Sequence, residues 1–367
     1  MSAREESTGA RASLTLLAAL IALEVASCSR ARPTGNHAGD GAAAVRGEAG
    51  AHAGGGAAGA GDGAAGAGSD IASAGGGAAG ASDEGDSGLA AGSGASAAGS
   101  GGDVSDAGMQ QPRPPAVPVL PPLRGECPTF MSGKTTVMID GVSVVLDVGP
   151  KSARTGSLLF YWHGTGSSAE ELNNMLSRTV LDDLLAKGGV IAALEKSTRR
   201  GENTSGTGEF SAGDLEIADQ IVACAVRDHA IDPARIYTTG CSAGGFQSGS
   251  MALLRAGYVA AAVTNSGGLA LPPLPKQARL PAVMTIYGLS PLELIDLRQM
   301  SHALSDLVTA ASGFAIDCDT GSSVCRTSPE LQNAGWQFLQ DHPYGVEPEP
   351  YAMELPAAFP GYCRAHR

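Results

Sequence analysis

The chain has 367 residues, 52 of them glycine, and a formal net charge of −13. No basic run or patch stands out, which argues against a nucleic-acid partner. The glycine and acid totals belong partly to the N-terminal third, and roughly 240 residues remain, a length that suits one α/β domain.

Residues 1–28 read as an export signal. Arg4 and Arg11 precede the apolar run Leu14–Val25, which is too short to anchor stably across a bilayer. The run ends in Val25-Ala26-Ser27-Cys28, which resembles the lipobox of bacterial lipoprotein signals. That resemblance implies a lipidated Cys28 at the mature N-terminus and attachment to a membrane through the lipid. The other reading is an ordinary secretory signal cleaved nearby. Residues 29–111 are rich in Gly, Ala and Ser, and from about Pro33 to Ala107 the chain is nearly all Gly, Ala, Ser and Asp. They cannot bury enough apolar surface to offset their conformational entropy, so a flexible, solvated tether is expected. Residues 112–126 form a Pro-rich, extended lead-in, and 127–367 the folded domain.

Within the domain, Thr135–Ile139 and Val142–Val148 flank Asp140-Gly141, a strong hairpin signal. The chain then alternates. Strands are predicted at Ser157–Trp162, Val190–Leu194, Arg235–Thr239, Val259–Thr264, Ala282–Tyr287 and Phe314–Cys318. Helices are predicted at Ala169–Lys187, Asp214–His229, Ala243–Arg255, Glu293–Ala311 and Pro329–Gln340. Short apolar strands between longer helices imply an α/β fold with a mostly parallel sheet covered on both faces.

Gly240-Cys241-Ser242-Ala243-Gly244 is the only G-x-S-x-G in the chain. It follows a predicted strand directly and opens a predicted helix. Small residues at 240 and 244 permit the sharp turn that lifts a serine Oγ above the sheet, making Ser242 the candidate nucleophile. At that helix N-terminus the Ala243 N–H can donate to a developing oxyanion. His163-Gly164-Thr165-Gly166 follows the strand Ser157–Trp162. Such a loop supplies the second oxyanion donor, placed at Thr165 with Gly164 as the alternative. His163 fits a loop-ordering role better than a catalytic one. Tyr161 and Trp162 read either as core or as a binding platform.

Asp232-Pro233-Ala234-Arg235-Ile236-Tyr237 followed by Thr239-Gly240-Cys241-Ser242-Ala243-Gly244-Gly245 resembles the polyhydroxybutyrate depolymerase and feruloyl esterase-like branch of the α/β-hydrolases. Asn265-Ser266-Gly267-Gly268, Trp336-Gln337-Phe338-Leu339 and Asp341-His342-Pro343-Tyr344 fit the same pattern. The resemblance implies the α/β-hydrolase fold and an ester substrate, small or polymeric, cleaved through an acyl-serine without metal or organic cofactor.

Two parts of that pattern are displaced or missing. The acid belongs after the strand Ala282–Tyr287, where the first carboxylates are Glu293 and Asp296. Both also suit the first turn of the next helix, where carboxylates stabilise the dipole. The histidine belongs in the loop 319–328, which has none. By the resemblance, relatives carry it near Thr320 or just before Cys325, where this chain has Val324. His342 is the remaining candidate base, in a motif that also looks structural. His366 stands in the tail, His302 mid-helix and His229 at a helix end. Two functions stay open: a serine esterase with a relocated acid and base, or a degenerate hydrolase-fold protein that binds.

Apart from Cys28, the cysteines are Cys127, Cys224, Cys241, Cys318, Cys325 and Cys363. An even set in an exported chain implies disulfides. The expected pairs are Cys318–Cys325 across a short loop, Cys224–Cys241 between helix and strand, and Cys127–Cys363 joining the ends. No C-x-x-C pair occurs, so no metal is expected.

Overall fold

The protein is described by a computed structural model over residues 116–152, 155–269, 279–289, 296–322 and 325–367. The export signal with Cys28, the tether 29–111, Glu293 and Val324 lie outside the described residues.

Asp140 and Gly141 both take positive φ, 48° and 77°, which makes the two-residue turn between β1 (Gly133–Ile139) and β2 (Val142–Val148). The alternation then runs as the hydrophobic pattern indicates. β3 is Gly156–Trp162 and β4 Val190–Leu194, with the short helices α1 (Leu172–Met175) and α2 (Arg178–Ala186) between them. Next come α3 (Ala212–His229), β5 (Ile231–Cys241), α4 (Ala243–Leu254), β6 (Ala261–Asn265) and β7 (Ala282–Leu289). The chain closes with α5 (Leu297–Ala310), β8 (Ala315–Ser322), α6 (Pro329–Asp341) and β9 (Cys363–Ala365). The predicted helix Ala169–Lys187 is broken in two because Ser177 is extended and caps α2, its side chain accepting from Val180 N–H.

The strands form one nine-stranded sheet in the order β1-β2-β4-β3-β5-β6-β7-β8-β9. β4, β3, β5, β6, β7 and β8 are parallel to their neighbours in that run, while β2 and β9 join antiparallel at its two sides. Side-chain alternation divides the core. Leu158, Phe160 and Trp162 of β3 pack with α3, α4 and Leu304 of α5 on one face; Leu159 and Tyr161 pack with α2 and α6 on the other. Tyr161 and Trp162 are both fully buried, so they serve the core and not a binding platform. The helix α3 that flanks β5 starts on a capping box in which Ser211 and Asp214 satisfy each other's backbone groups. Among the described residues no helix is long and apolar enough to cross a membrane.

All six domain cysteines are paired, but none as expected: the bonds are Cys127–Cys224, Cys241–Cys325 and Cys318–Cys363. Cys224 and Cys241 could not meet, because α3 covers one face of the sheet and Cys241 belongs to the core of the other. Cys318 is claimed by Cys363, its direct partner in the β8–β9 ladder. The remaining bonds tie the entry segment to α3 and the end of β5 to the segment after β8. Disulfides of this number form and persist in oxidising compartments.

Candidate active site

Ser242 sits between β5 and α4 with φ 54° and ψ −120°, a conformation that L residues adopt only under constraint. The constraint is steric and covalent. Gly240 and Gly244 pack against the end of β3 so closely that a Cβ on either would collide with the Trp162 carbonyl oxygen. Ser242 N–H donates to Asn265 O at the end of β6 at 2.9 Å, and Cys241 is held by its disulfide. The serine is half-buried, and its side chain makes no hydrogen bond among the described residues. The first intrahelical bond of α4 runs from Phe246 N–H to Ser242 O at 3.0 Å, so the Ala243 N–H stands free of the helix ladder beside the serine.

The loop after β3 lies against this turn. The Cα side of Gly164 faces the Cys241 carbonyl, which a Cβ there would meet at 3.5 Å. Gly164 N–H is not left for an oxyanion: it donates to Glu171 Oε2 at 2.7 Å. This removes Gly164 as the alternative donor. The same carboxylate oxygen accepts the Tyr161 hydroxyl at 2.8 Å. Burial, and then the Glu171 charge, push the Tyr161 phenol well above its ordinary pKa, so it stays a donor. Glu171 therefore fixes the loop, a role its position in a predicted helix did not signal. Thr165 makes no hydrogen bond among the described residues, and its buried Oγ1 is without a partner.

The acid and base candidates are elsewhere or occupied. Asp296 is exposed and caps α5, accepting Gln299 N–H at 3.0 Å, so the helix-start reading holds for it. His342 is buried at the end of α6, its Nδ1 2.7 Å from Phe338 O and its Nε2 2.8 Å from Glu349 Oε1, among Phe314, Phe338 and Tyr351. Both ring nitrogens are committed, which removes it as a base for Ser242. His163 places Nδ1 2.8 Å from Gly164 O and its ring edge-on to Phe210, while its buried Nε2 has no partner. His302 and His366 contact Asp317, and His229 packs on Phe130. Among the described residues, then, no imidazole is hydrogen-bonded to Ser242.

No family model matches the chain, and no curated protein matches it. Solved structures do. Native pOPH superposes with a TM-score of 0.51 at 16% identity, over 66% of this chain and 96% of that one. Native sOPH superposes with a TM-score of 0.50 at 17% identity, again over 66% and 96%. At such identity the likeness concerns architecture, and with the strand order above it gives this chain the α/β-hydrolase fold.

Proposed function

We propose that the domain is an exported carboxylic-ester hydrolase acting through an acyl-serine at Ser242. One observation carries the reading: Ser242 is held at φ 54°, ψ −120° on a turn whose flanking glycines admit no side chain. Strain of about 1–3 kcal/mol at one residue persists where the surrounding structure over-determines it, and such residues cluster at sites of chemistry. In the proposed reaction Ser242 Oγ bonds to the ester carbonyl carbon, and the oxyanion is met by the Thr165 and Ala243 N–H groups. The alkoxide leaves with the serine proton, and water then releases the acid. The resemblance of the sequence around Ser242 favours polyester or phenolic-ester substrates. Attachment through a lipid on Cys28 is part of the same proposal, and loss of palmitate incorporation in Cys28→Ser tests it.

A second reading, that the domain binds an ester or polymer without turning it over, is favoured by the lack of a histidine in residues 319–328. Loss of one triad member lowers turnover by about 10⁴ to 10⁶. Hydrolysis of p-nitrophenyl esters of graded acyl length separates the two. Turnover that disappears in Ser242→Ala supports the hydrolase; neither burst nor turnover at any acyl length decides for the binding protein.

A further inference from the structure

Away from Ser242, three ligand-type side chains from three elements converge. His302 stands on α5, Asp317 on β8, and His366 directly follows β9. One ligating atom of each lies within 4.8 Å of the others. His302 Nδ1 is 3.4 Å from Asp317 Oδ2, and His366 Nδ1 contacts the same oxygen. Both rings thus turn the same nitrogen toward one carboxylate oxygen.

A second layer holds that arrangement. Asp317 Oδ1 accepts the Thr285 and Ser305 hydroxyls, each at 2.7 Å, which fixes the carboxylate and reserves Oδ2. The distal nitrogen of His302 is 3.0 Å from the Tyr287 hydroxyl, and that of His366 is 2.8 Å from Asp306 Oδ1. Partners of this kind on the far nitrogen set ring orientation and tautomer around metal-bound imidazoles. The 3.4 Å between His302 Nδ1 and Asp317 Oδ2 is long for a strong hydrogen bond. It matches the spacing of about 3.4 Å between two ligands of a tetrahedral ion with bonds of about 2.0–2.1 Å. The His366–Asp317 contact is closer than that, so the His366 ring swings away from Oδ2 to admit the ion. The side chains of Asp317 and His366 are nearly buried, at 10% and 11% exposure, whereas His302 is 40% exposed and leaves a route from solvent.

We propose that His302, Asp317 and His366 form a zinc(II) site with a fourth position open to water beside His302. Two imidazoles and a carboxylate suit zinc among the common divalent ions. The absence of a C-x-x-C pair bears only on cysteine sites. β8 is three strands from β5, roughly 14 Å at the usual strand spacing, so the ion clamps the C-terminal strand to α5 and takes no part at Ser242.

The full chain with its disulfides intact, stripped with EDTA and dialysed, is titrated with zinc chloride by calorimetry at neutral pH. One equivalent binds, His302→Ala weakens binding at least about 100-fold, and Asp306→Asn weakens it about 10-fold. The metal-free unfolding midpoint of each variant falls by no more than a few degrees, about the effect of losing one partly exposed hydrogen bond. Cobalt(II) gives the visible bands of a low-coordinate nitrogen and oxygen site in the wild type and loses them in His302→Ala. Absence of heat and cobalt bands in the wild type overturns the proposal. So does undiminished binding in His302→Ala, which assigns the ion to other residues, such as His37 and His52.

Discussion

Cys241 and Cys325 are disulfide-bonded with their Cα atoms 5.5 Å apart, which leashes the residue before Ser242 to the residue after Val324. Position 324, outside the described residues, immediately precedes Cys325 in the chain. Valine there carries no proton chemistry.

Replacing that valine is the most direct way to supply a base. Val324→His is expected to raise p-nitrophenyl ester turnover by about 10²-fold, the lower end of what a positioned general base contributes. The gain follows an imidazole titration in a pH–rate profile and vanishes when Ser242→Ala is added. A variant no faster than wild type shows that the leash does not present residue 324 to the serine.

The bond itself also stabilises. It closes a separation of 84 residues. Cys241→Ala with Cys325→Ala is expected to lower unfolding free energy by about 4 kcal/mol, read from urea melts under non-reducing conditions.

Gly244→Ala tests the packing that constrains Ser242. The added methyl collides with the Trp162 carbonyl oxygen and the backbone of His163. Overpacking against backbone should cost about 3 kcal/mol and abolish any activity at Ser242, whereas Gly141→Ala meets no atom within 4 Å and is limited to its positive-φ strain of about 1 kcal/mol. Equal melting temperatures for the two variants contradict this account.

His229 gives the fold a pH dependence. Burial, and then the charge of Lys151, hold its imidazole below the ordinary value. A depressed folded pKa means that the unfolded chain binds the proton more readily. The contribution is then fully present above the unfolded value of about 6.5 and is lost as pH falls through the folded one. In EDTA-containing buffer, the wild type minus His229→Leu difference in unfolding free energy should shrink as pH drops below that value. A difference that is constant with pH excludes the assignment.

Much of the sheet was legible because buried parallel strands are written as short apolar runs, and β2 and β4 fall on the predicted residues. The elbow was legible for a related reason: a serine between two small residues at a strand-to-helix switch has few other uses. The disulfides were not, since pairing depends on which face of the sheet each cysteine reaches, and sequence spacing carries no such information. Glu171 was equally hidden. Nothing marks one carboxylate among the polar residues of a helix start as the acceptor for Gly164 N–H and the Tyr161 hydroxyl. His302, Asp317 and His366 were invisible as a group because α5 and β8 bring in the first two and only the β8–β9 pairing, through a three-residue strand too short to show a period, brings in the third.

The bond between Cys127 and Cys224 decides where mechanical load enters the domain. Ahead of it, Val119 N–H is bonded to Gly257 O and Arg124 N–H to Gln220 Oε1, so the entering chain is stitched to the α3–α4 side before it reaches β1. A pull on the preceding residues ends at a covalent link to α3. β1, a sheet edge that tension could otherwise unzip one hydrogen bond at a time, carries none of it. A domain wired this way can be tugged from its N-terminal side without its sheet being peeled, and its weakest point under force becomes the docking of α3.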